Sequence, residues 1–322
     1  MKAVVQNRYG PPEVLRIEDV EQPVPKDDEV LIRVRASTVS QSDAHIRAAH
    51  PWLWRLVAGW RRPRWRSLGV EFAGEVEAVG SAVREFQVGD AVFGSRWFNI
   101  HAEFICMPES GVLVAKPAAL TFEEAAAIYD GGCQALATLR KAQAGPGRRL
   151  LIYGASGSLG SAAVQIARHL GAHVTAVCGT DHVELVRSLG ADEVIDYRRE
   201  DFTKNGQTYD AIIDAVGKYA FRWGRRSIRP GGVYVATDVG PRPIETVVAA
   251  IASRWVGSRR LTFASGRKSR QDALDLKELV DRGAYRPVID RVYPMREVVD
   301  AHRHVEGWHK TGNVVLSMDR DA

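Results

Sequence analysis

The run Tyr153-Gly154-Ala155-Ser156-Gly157-Ser158-Leu159-Gly160 holds residue types whose spacing can do binding chemistry. Its small residues let a backbone approach a phosphate closely. Unpaired N–H groups and the positive end of a following helix dipole would meet the phosphate charge. The context agrees with that use. Leu150-Leu151-Ile152 reads as a buried strand, and Ala162, Ala163, Ile166, Ala167 and Leu170 recur at helical spacing. Strand, glycine turn and helix together form the setting in which such a turn takes the pyrophosphate of a dinucleotide. The expected contacts are Gly154, Ala155, Ser156, Gly157, Ser158, Leu159 and Gly160.

The flanking elements are those needed to position this turn. Residues 172–177, 194–197, 209–214 and 232–237 read as further strands, with a short helix over 183–189 and the turn Pro230-Gly231 before the last strand. Strands alternating with helices predict an α/β fold with a Rossmann-type, doubly wound parallel sheet, whose ligands lie at the carboxyl ends of the strands. The tips 154–160, 178–182, 214–217 and 237–240 are therefore expected to line one crevice, which adds Thr180, His182, Val216 and Asp238 to the cofactor contacts. Ahead of this region, short strands are expected at 1–6, 15–20, 29–37, 69–79, 91–94 and 102–107. Val30, Ile32 and Val34 alternate there with Leu31, Arg33 and Arg35. After it, a helix over 271–282, a strand over 287–292, a helix over 295–308 and a strand over 313–318 complete the chain. The last strand has too few neighbours to stand alone and is expected to return to the first domain. The predicted division is 1–120, 121–260 and 261–322, with the active-site cleft between two domains.

With 322 residues, 45% hydrophobic and 26% charged, the chain can bury two sizeable cores. No apolar run reaches membrane-spanning length, and the start Lys2-Ala3-Val4-Val5 enters a strand without an apolar signal core. Cys106, Cys133 and Cys178 are far apart and odd in number, which argues against a disulfide framework and makes a reducing cytoplasm the expected compartment. The net charge of +5 is local. Arg47, Arg55, Arg61, Arg62, Arg64 and Arg66 lie in one stretch that contains no acid, and without them the rest of the chain is close to neutral.

Within it, residues 50–67 also contain Trp52, Trp54, Trp60 and Trp65, half of the eight tryptophans. It reads as a helical insertion packed on the body, as a flap over a lipophilic substrate, or as a peripheral membrane or partner contact. No nucleic-acid module surrounds it, so nucleic acid is not an expected partner. The chain is expected to act as a homodimer or a monomer.

At this level of detail the chain resembles the medium-chain dehydrogenase/reductase superfamily, and within it the zinc-free quinone oxidoreductase-like branch. The resemblance runs over nearly the full length. It is carried by Met1-Lys2-Ala3-Val4, Val34-Arg35-Ala36 leading to Asp43, and Gly69-Val70-Glu71-Phe72-Ala73-Gly74-Glu75-Val76. Val88-Gly89-Asp90-Ala91-Val92-Phe93-Gly94, the glycine turn, Leu189-Gly190-Ala191-Asp192, Asp214-Ala215-Val216-Gly217, Pro230-Gly231-Gly232 and Thr311-Gly312-Asn313-Val314-Val315 continue it. It implies a strand-rich GroES-like catalytic domain beside the nucleotide domain, and a further cofactor contact at Asn313. Zinc-dependent relatives hold a catalytic metal with a Cys, a His and a second Cys, at positions that align with Ser40, Val70 and about Asp130. Valine cannot ligate and a serine hydroxyl is a poor zinc ligand, so no metal is expected.

The resemblance also bears on cofactor and substrate. A carboxylate ending the second strand of the nucleotide fold favours NAD. Here that strand ends Val177-Cys178-Gly179-Thr180, and Asp181 reads as a helix cap. In NADPH-using quinone reductases a Lys and a Tyr hold the 2′-phosphate, at positions matched here by His182 and Tyr197, so NADPH is the expected cofactor. The loop beside the nicotinamide, which carries Asn, Asp and Tyr in such reductases, has Ser40, Asp43 and His45. Ser40 is a candidate hydrogen-bond donor and His45 a candidate proton donor. The expected activity is zinc-independent hydride transfer from NADPH to a quinone or an activated double bond of a small lipophilic electrophile. A zinc-free aldehyde or ketone reductase, or a low-turnover NADPH-binding protein using its Arg/Trp segment, are the alternatives.

Overall fold

Val30, Ile32 and Val34 are buried on one face of their strand, as their alternation predicts. Arg33 and Arg35 reach Glu77 and Glu75 across the neighbouring strand at 3.1 and 3.2 Å. The computed structural model describes residues 1–50, 55–217, 221–238, 243–253, 255, 258–264, 268–308 and 310–318. The chain begins with β1 (Lys2–Gln6), β2 (Leu15–Asp19), β3 (Glu29–Val39), α1 (Gln41–Ala48) and α2 (Arg55–Ala58). It continues with β4 (Glu71–Val79), β5 (Ala91–Ser95), β6 (Phe104–Pro108), β7 (Val112–Ala115), α3 (Phe122–Ala126) and α4 (Tyr129–Ala142). The middle of the chain runs β8 (Arg149–Tyr153), α5 (Ser158–His169), β9 (His173–Cys178), α6 (Val183–Ser188), β10 (Glu193–Asp196) and β11 (Tyr209–Asp214). It goes on to α7 (Phe221–Gly224), β12 (Ile228–Ala236), α8 (Pro243–Ala252) and β13 (Arg260–Phe263). Last come α9 (Arg270–Asp281), β14 (Ile289–Pro294), α10 (Val298–Glu306) and β15 (Asn313–Ser317).

These elements divide into two compact units. One comprises Met1–Asp130, Lys268–Asp281 and Pro287–Ala322, the other Gly131–Arg267 and Arg282–Arg286. The divisions fall several residues beyond the expected 120 and 260. Tyr129 at the start of α4 is tied to the first unit, its hydroxyl accepting from Ser269 N at 2.7 Å. In that unit the order β14-β15-β3-β4-β5-β7 forms a sheet in which β6 also pairs with β3. β15 pairs antiparallel with β3, Val314 opposite Val39. The last strand thus returns to the first domain, over a core that includes Ile32, Phe72, Ile100, Leu113 and Leu316.

The second unit is a parallel sheet in the order β10-β9-β8-β11-β12-β13, with the Rossmann-type reversal between β8 and β11. Leu151, Val177, Ile212 and Tyr234 lie in its core. β7 and β13 were not among the expected strands. Both are only four residues long; β7 is apolar throughout but short, and Arg260-Leu261-Thr262-Phe263 is broken by a charged and a polar residue, so it lacks the apolar run that marks a central strand.

The Arg/Trp segment separates into parts with different surroundings. Trp65 packs on the core of the first unit with its ring 4.4 Å from Phe98, while Trp60 is 62% exposed. Arg66 pairs with Glu18 at 3.1 Å and the Arg55 guanidinium lies 5.2 Å over the Tyr9 ring. Trp52 and Trp54 lie outside the described residues. Among the described residues no helix is long and apolar enough to cross a membrane.

Candidate active site

Gly154 has φ +82°, and a Cβ there would lie 2.2 Å from Val216 Cγ2; a Cβ on Gly160 would lie 2.1 Å from the Gly154 carbonyl oxygen. Both positions therefore need glycine, and the turn closes tightly between β8 and α5. Its floor is buried: Ala155, Leu159 and Gly160 face the core, while Ser156, Gly157 and Ser158 are partly open. Gly157 caps α5 without a side chain, and its Cβ position meets only the Gly154 oxygen at 3.6 Å. The first turn of α5 therefore has no side-chain cap over its amides. These features fit a pyrophosphate.

The other tips gather at the same end of this sheet. The amides of Gly154 and Ala155 both donate to the Val177 carbonyl at 3.0 Å. Asp214 is 1% exposed and accepts from Val216 N at 3.0 Å, Gly217 N at 2.9 Å and the Tyr234 hydroxyl at 2.9 Å. The Thr237 hydroxyl donates to the Asp214 carbonyl at 2.9 Å, and Gly217 abuts Asp238. The buried carboxylate thereby positions Val216, and the Asp214 carbonyl holds Thr237 next to Asp238.

At the end of β9 the arrangement differs from the sequence reading in two ways. Asp181 does not cap a helix; its carboxylate pairs with Arg198 at 3.2 Å, and the N-cap of α6 is His182, without a side-chain bond. A carboxylate does stand at this tip, supplied by the neighbouring strand. Asp196 accepts the Thr180 hydroxyl at 2.6 Å and Arg198 N at 3.0 Å, and Arg199 lies 3.5 Å away. These donors, led by Thr180, hold its carboxyl below its ordinary value. Tyr197, half exposed, has its hydroxyl 3.4 Å from the Cβ position of Gly179. His182 is half buried at the start of α6. Arg198 and Arg199 next to Tyr197 were missed in the sequence. A basic pair directly after a strand-end Tyr is the signal that would have found them.

In the first unit, Ser40, Asp43 and His45 begin α1. Ser40 caps it: its hydroxyl accepts from Asp43 N at 3.3 Å and donates to Asp43 Oδ2 at 2.8 Å. Asp43 is fully buried, and its other oxygen accepts from Gly69 N at 2.8 Å. With both oxygens engaged, Asp43 is a positioning residue that ties α1 to the strand region, and it does not present a carboxylate to a substrate. His45 is partly exposed on the same helix. Asn313 turns inward. Both its backbone amide and its Nδ2 donate to the Val288 carbonyl, at 2.8 and 3.0 Å, so it anchors the turn before β15.

The positions aligned with a metal site have other partners. Val70 is buried, and its carbonyl accepts from Ser95 Oγ at 2.5 Å and from Lys268 Nζ at 3.0 Å. Next to it Glu71, 1% exposed, accepts from the Thr38 hydroxyl and from Asp130 N, each at 2.6 Å. Burial, and then the Asp130 charge, push the Glu71 carboxyl up to about 8. Lys310, half buried, donates to the Gly312 carbonyl and feels the charges of Asp290, Asp130 and Glu71, while burial lowers its pKa. Sequence reasoning passed over both. A single acid inside the apolar strand run Val70-Glu71-Phe72-Ala73 was the available signal for Glu71.

His101 and His302 are fully buried with ring centroids 6.4 Å apart, and burial lowers both pKa values. The His304 Nε2 lies 2.6 Å from Asp290 Oδ2. His309 lies outside the described residues.

The family profile "Alcohol dehydrogenase GroES-like domain" matches residues 26–146, and "Zinc-binding dehydrogenase" matches residues 189–316. The mitochondrial NAD(P)H oxidoreductase RTN4IP1 of Mus musculus is 32% identical, covering 99% of this chain and 89% of that protein. The chloroplastic NADPH-dependent alkenal/one oxidoreductase of Arabidopsis thaliana is 30% identical, covering 98% of this chain and 79% of that protein. Among solved structures, the quinone oxidoreductase from Coxiella burnetii superposes with a TM-score of 0.87 at 28% identity, covering 99% of both chains.

Proposed function

We propose that this chain, which belongs to the medium-chain dehydrogenase/reductase superfamily and to its zinc-free quinone oxidoreductase-like branch, is an NADPH-dependent reductase of quinones or α,β-unsaturated carbonyl compounds. It is an oxidoreductase. The observation that carries the reading is the open, uncapped start of α5 behind the Gly154–Gly160 turn, a cradle for a dinucleotide pyrophosphate. When bound, the nicotinamide supplies the hydride chemistry. Ser156, Gly157 and Ser158 are the residues that would face the pyrophosphate, with Val216 and Asp238 beside them. Tyr197, His182 and Arg198 support a 2′-phosphate contact and therefore NADPH over NADH. Relatives named for alkenal/one and quinone reduction support an electron-poor, lipophilic acceptor. The test is oxidation of NADPH and of NADH across a panel of quinones, enones and aldehydes. Turnover is expected with enones or quinones and with NADPH preferred. Absence of turnover with every acceptor overturns the reductase reading, and preference for NADH overturns the cofactor assignment.

A further inference from the structure

Residues 55–66 carry an exposed surface that neither the cofactor turn nor the α1 loop uses. Its inner side is pinned to the first unit. Ala58 is buried, Trp65 packs on the core, the Tyr9 hydroxyl donates to the Gly59 carbonyl at 2.7 Å, and Gln6 N donates to the Arg66 carbonyl at 2.7 Å. Between these anchors the chain doubles back. Arg64 N donates to the Ala58 carbonyl at 2.6 Å, and Gly59 has φ +115° with its Cβ position 2.2 Å from the Arg62 oxygen. The tight loop that carries Trp60, Arg61 and Arg62 is thus closed by its backbone, and the three side chains are left exposed.

That outer side is apolar and cationic at once. Leu56 is 64% exposed and Trp60 nearly as much, and Arg55, Arg61, Arg62 and Arg64 are exposed with them. Arg55 lies over the Tyr9 ring, and Arg66 is paired with Glu18. Among the described residues the guanidinium groups of Arg61, Arg62 and Arg64 make no ion pair or hydrogen bond. The flanking acids along the chain, Asp43 and Glu71, are both buried and engaged elsewhere. Three uncompensated guanidinium groups select a negatively charged surface. The exposed leucine and tryptophan select its kind. Nucleic acid offers phosphate to arginine but no apolar layer to leucine. The boundary of a bilayer takes guanidinium groups at its phosphates, an indole among the headgroups and an aliphatic side chain at the acyl edge.

We propose that this loop docks the protein peripherally on an anionic lipid bilayer. Arg61, Arg62 and Arg64 meet lipid phosphates, and Trp60 and Leu56 enter the interfacial layer. Each basic residue near an anionic surface multiplies binding about fivefold, and only two apolar side chains add to it, so the contact is reversible and sensitive to salt. The inference does not rest on the reductase reading above.

The test is sedimentation of the full chain with sucrose-loaded vesicles, made of phosphatidylcholine and phosphatidylserine in equal parts or of phosphatidylcholine alone. Wild type should sediment with the first and stay in solution with the second, and about 0.5 M NaCl should release it. Arg61→Gln/Arg62→Gln/Arg64→Gln should weaken binding roughly 100-fold and Trp60→Ala roughly tenfold, both with the melting temperature of wild type. Lys141→Gln/Arg225→Gln/Arg226→Gln removes the same charge from exposed positions of the second unit and should stay within about threefold of wild type. An equal loss in that control would make net charge the cause and overturn the proposal. Equal sedimentation with both vesicles, no sedimentation with the anionic ones, or full binding by either loop variant would overturn it too. If single-stranded RNA is bound instead of vesicles, and the arginine variant loses it, the loop is a nucleic-acid surface and the lipid assignment falls.

Discussion

Glu71 and Arg198 act through their surroundings, and each leads to a measurable outcome. The folded-state pKa of Glu71, about 8, lies above its ordinary value of 4.5, so the folded chain retains a proton that the unfolded chain releases. The stability tied to that proton is complete below pH 4.5 and is lost as pH rises through about 8. Between pH 5 and 9 the melting temperature of the wild type should therefore fall more steeply than that of Glu71→Gln, which is neutral throughout and keeps one accepting oxygen. Parallel curves would show that Glu71 is ionised in the folded protein. Arg198 is held by Asp181 at 3.2 Å. Arg198→Ala should raise the NADPH Kd about tenfold and leave NADH nearly unchanged, the size of one charge-assisted hydrogen bond to a phosphate. Titration of both cofactors by fluorescence decides it, and equal losses would remove Arg198 from the 2′-phosphate contact.

At the scale of elements, position in a turn or cap decides what a side chain is free to do. Ser40 and Asp43 form the capping box of α1, so two residues of a suggestive polar loop are committed to starting a helix. The glycines at 154 and 160 are likewise committed to closing the turn before α5. The Arg/Trp segment shows the same contrast between neighbours. Trp65 packs against Phe98 and the first unit's core, whereas Trp60 is largely exposed. Trp65→Ala should lower stability by about 2–3 kcal/mol, and Trp60→Ala should stay within ~0.5 kcal/mol. Thermal and urea unfolding of the two variants measure this. A Trp60→Ala variant that loses enone affinity at unchanged stability would assign that part of the segment to the substrate.

At the scale of the whole molecule, a dinucleotide unit and a strand-rich unit each form around their own core, and α4 passes from one into the other. At the three positions where zinc-dependent relatives hold metal, this chain has a serine committed to a cap, a buried valine and Asp130. Prolonged treatment with a chelator such as EDTA should therefore leave NADPH affinity and any reductase rate unchanged. Elemental analysis should find less than stoichiometric zinc. One tightly bound zinc per chain, with activity lost on its removal, would overturn the assignment to chemistry by side-chain donors.

The nucleotide fold and its turn were legible in the sequence because they are local. Leu150-Leu151-Ile152, the glycines behind it and the helical spacing of Ala162 to Leu170 fall within one strand–turn–helix unit, and hydrophobic periodicity reports such units directly. The return of β15 to β3 was legible too, since a lone terminal strand must pair with another. What only tertiary structure decided were contacts between residues far apart in the chain. Asp196 comes to the tip of β9 because two parallel strands end together. Asp43 is sealed by Gly69, and Glu71 accepts from Asp130 N although 59 residues separate them. Burial and charge coupling arise only once distant strands pair, and no spacing along the chain encodes them. The turn before α5 could therefore be read from the sequence, whereas the partners of the buried acids Asp43 and Glu71 had to be found in the fold.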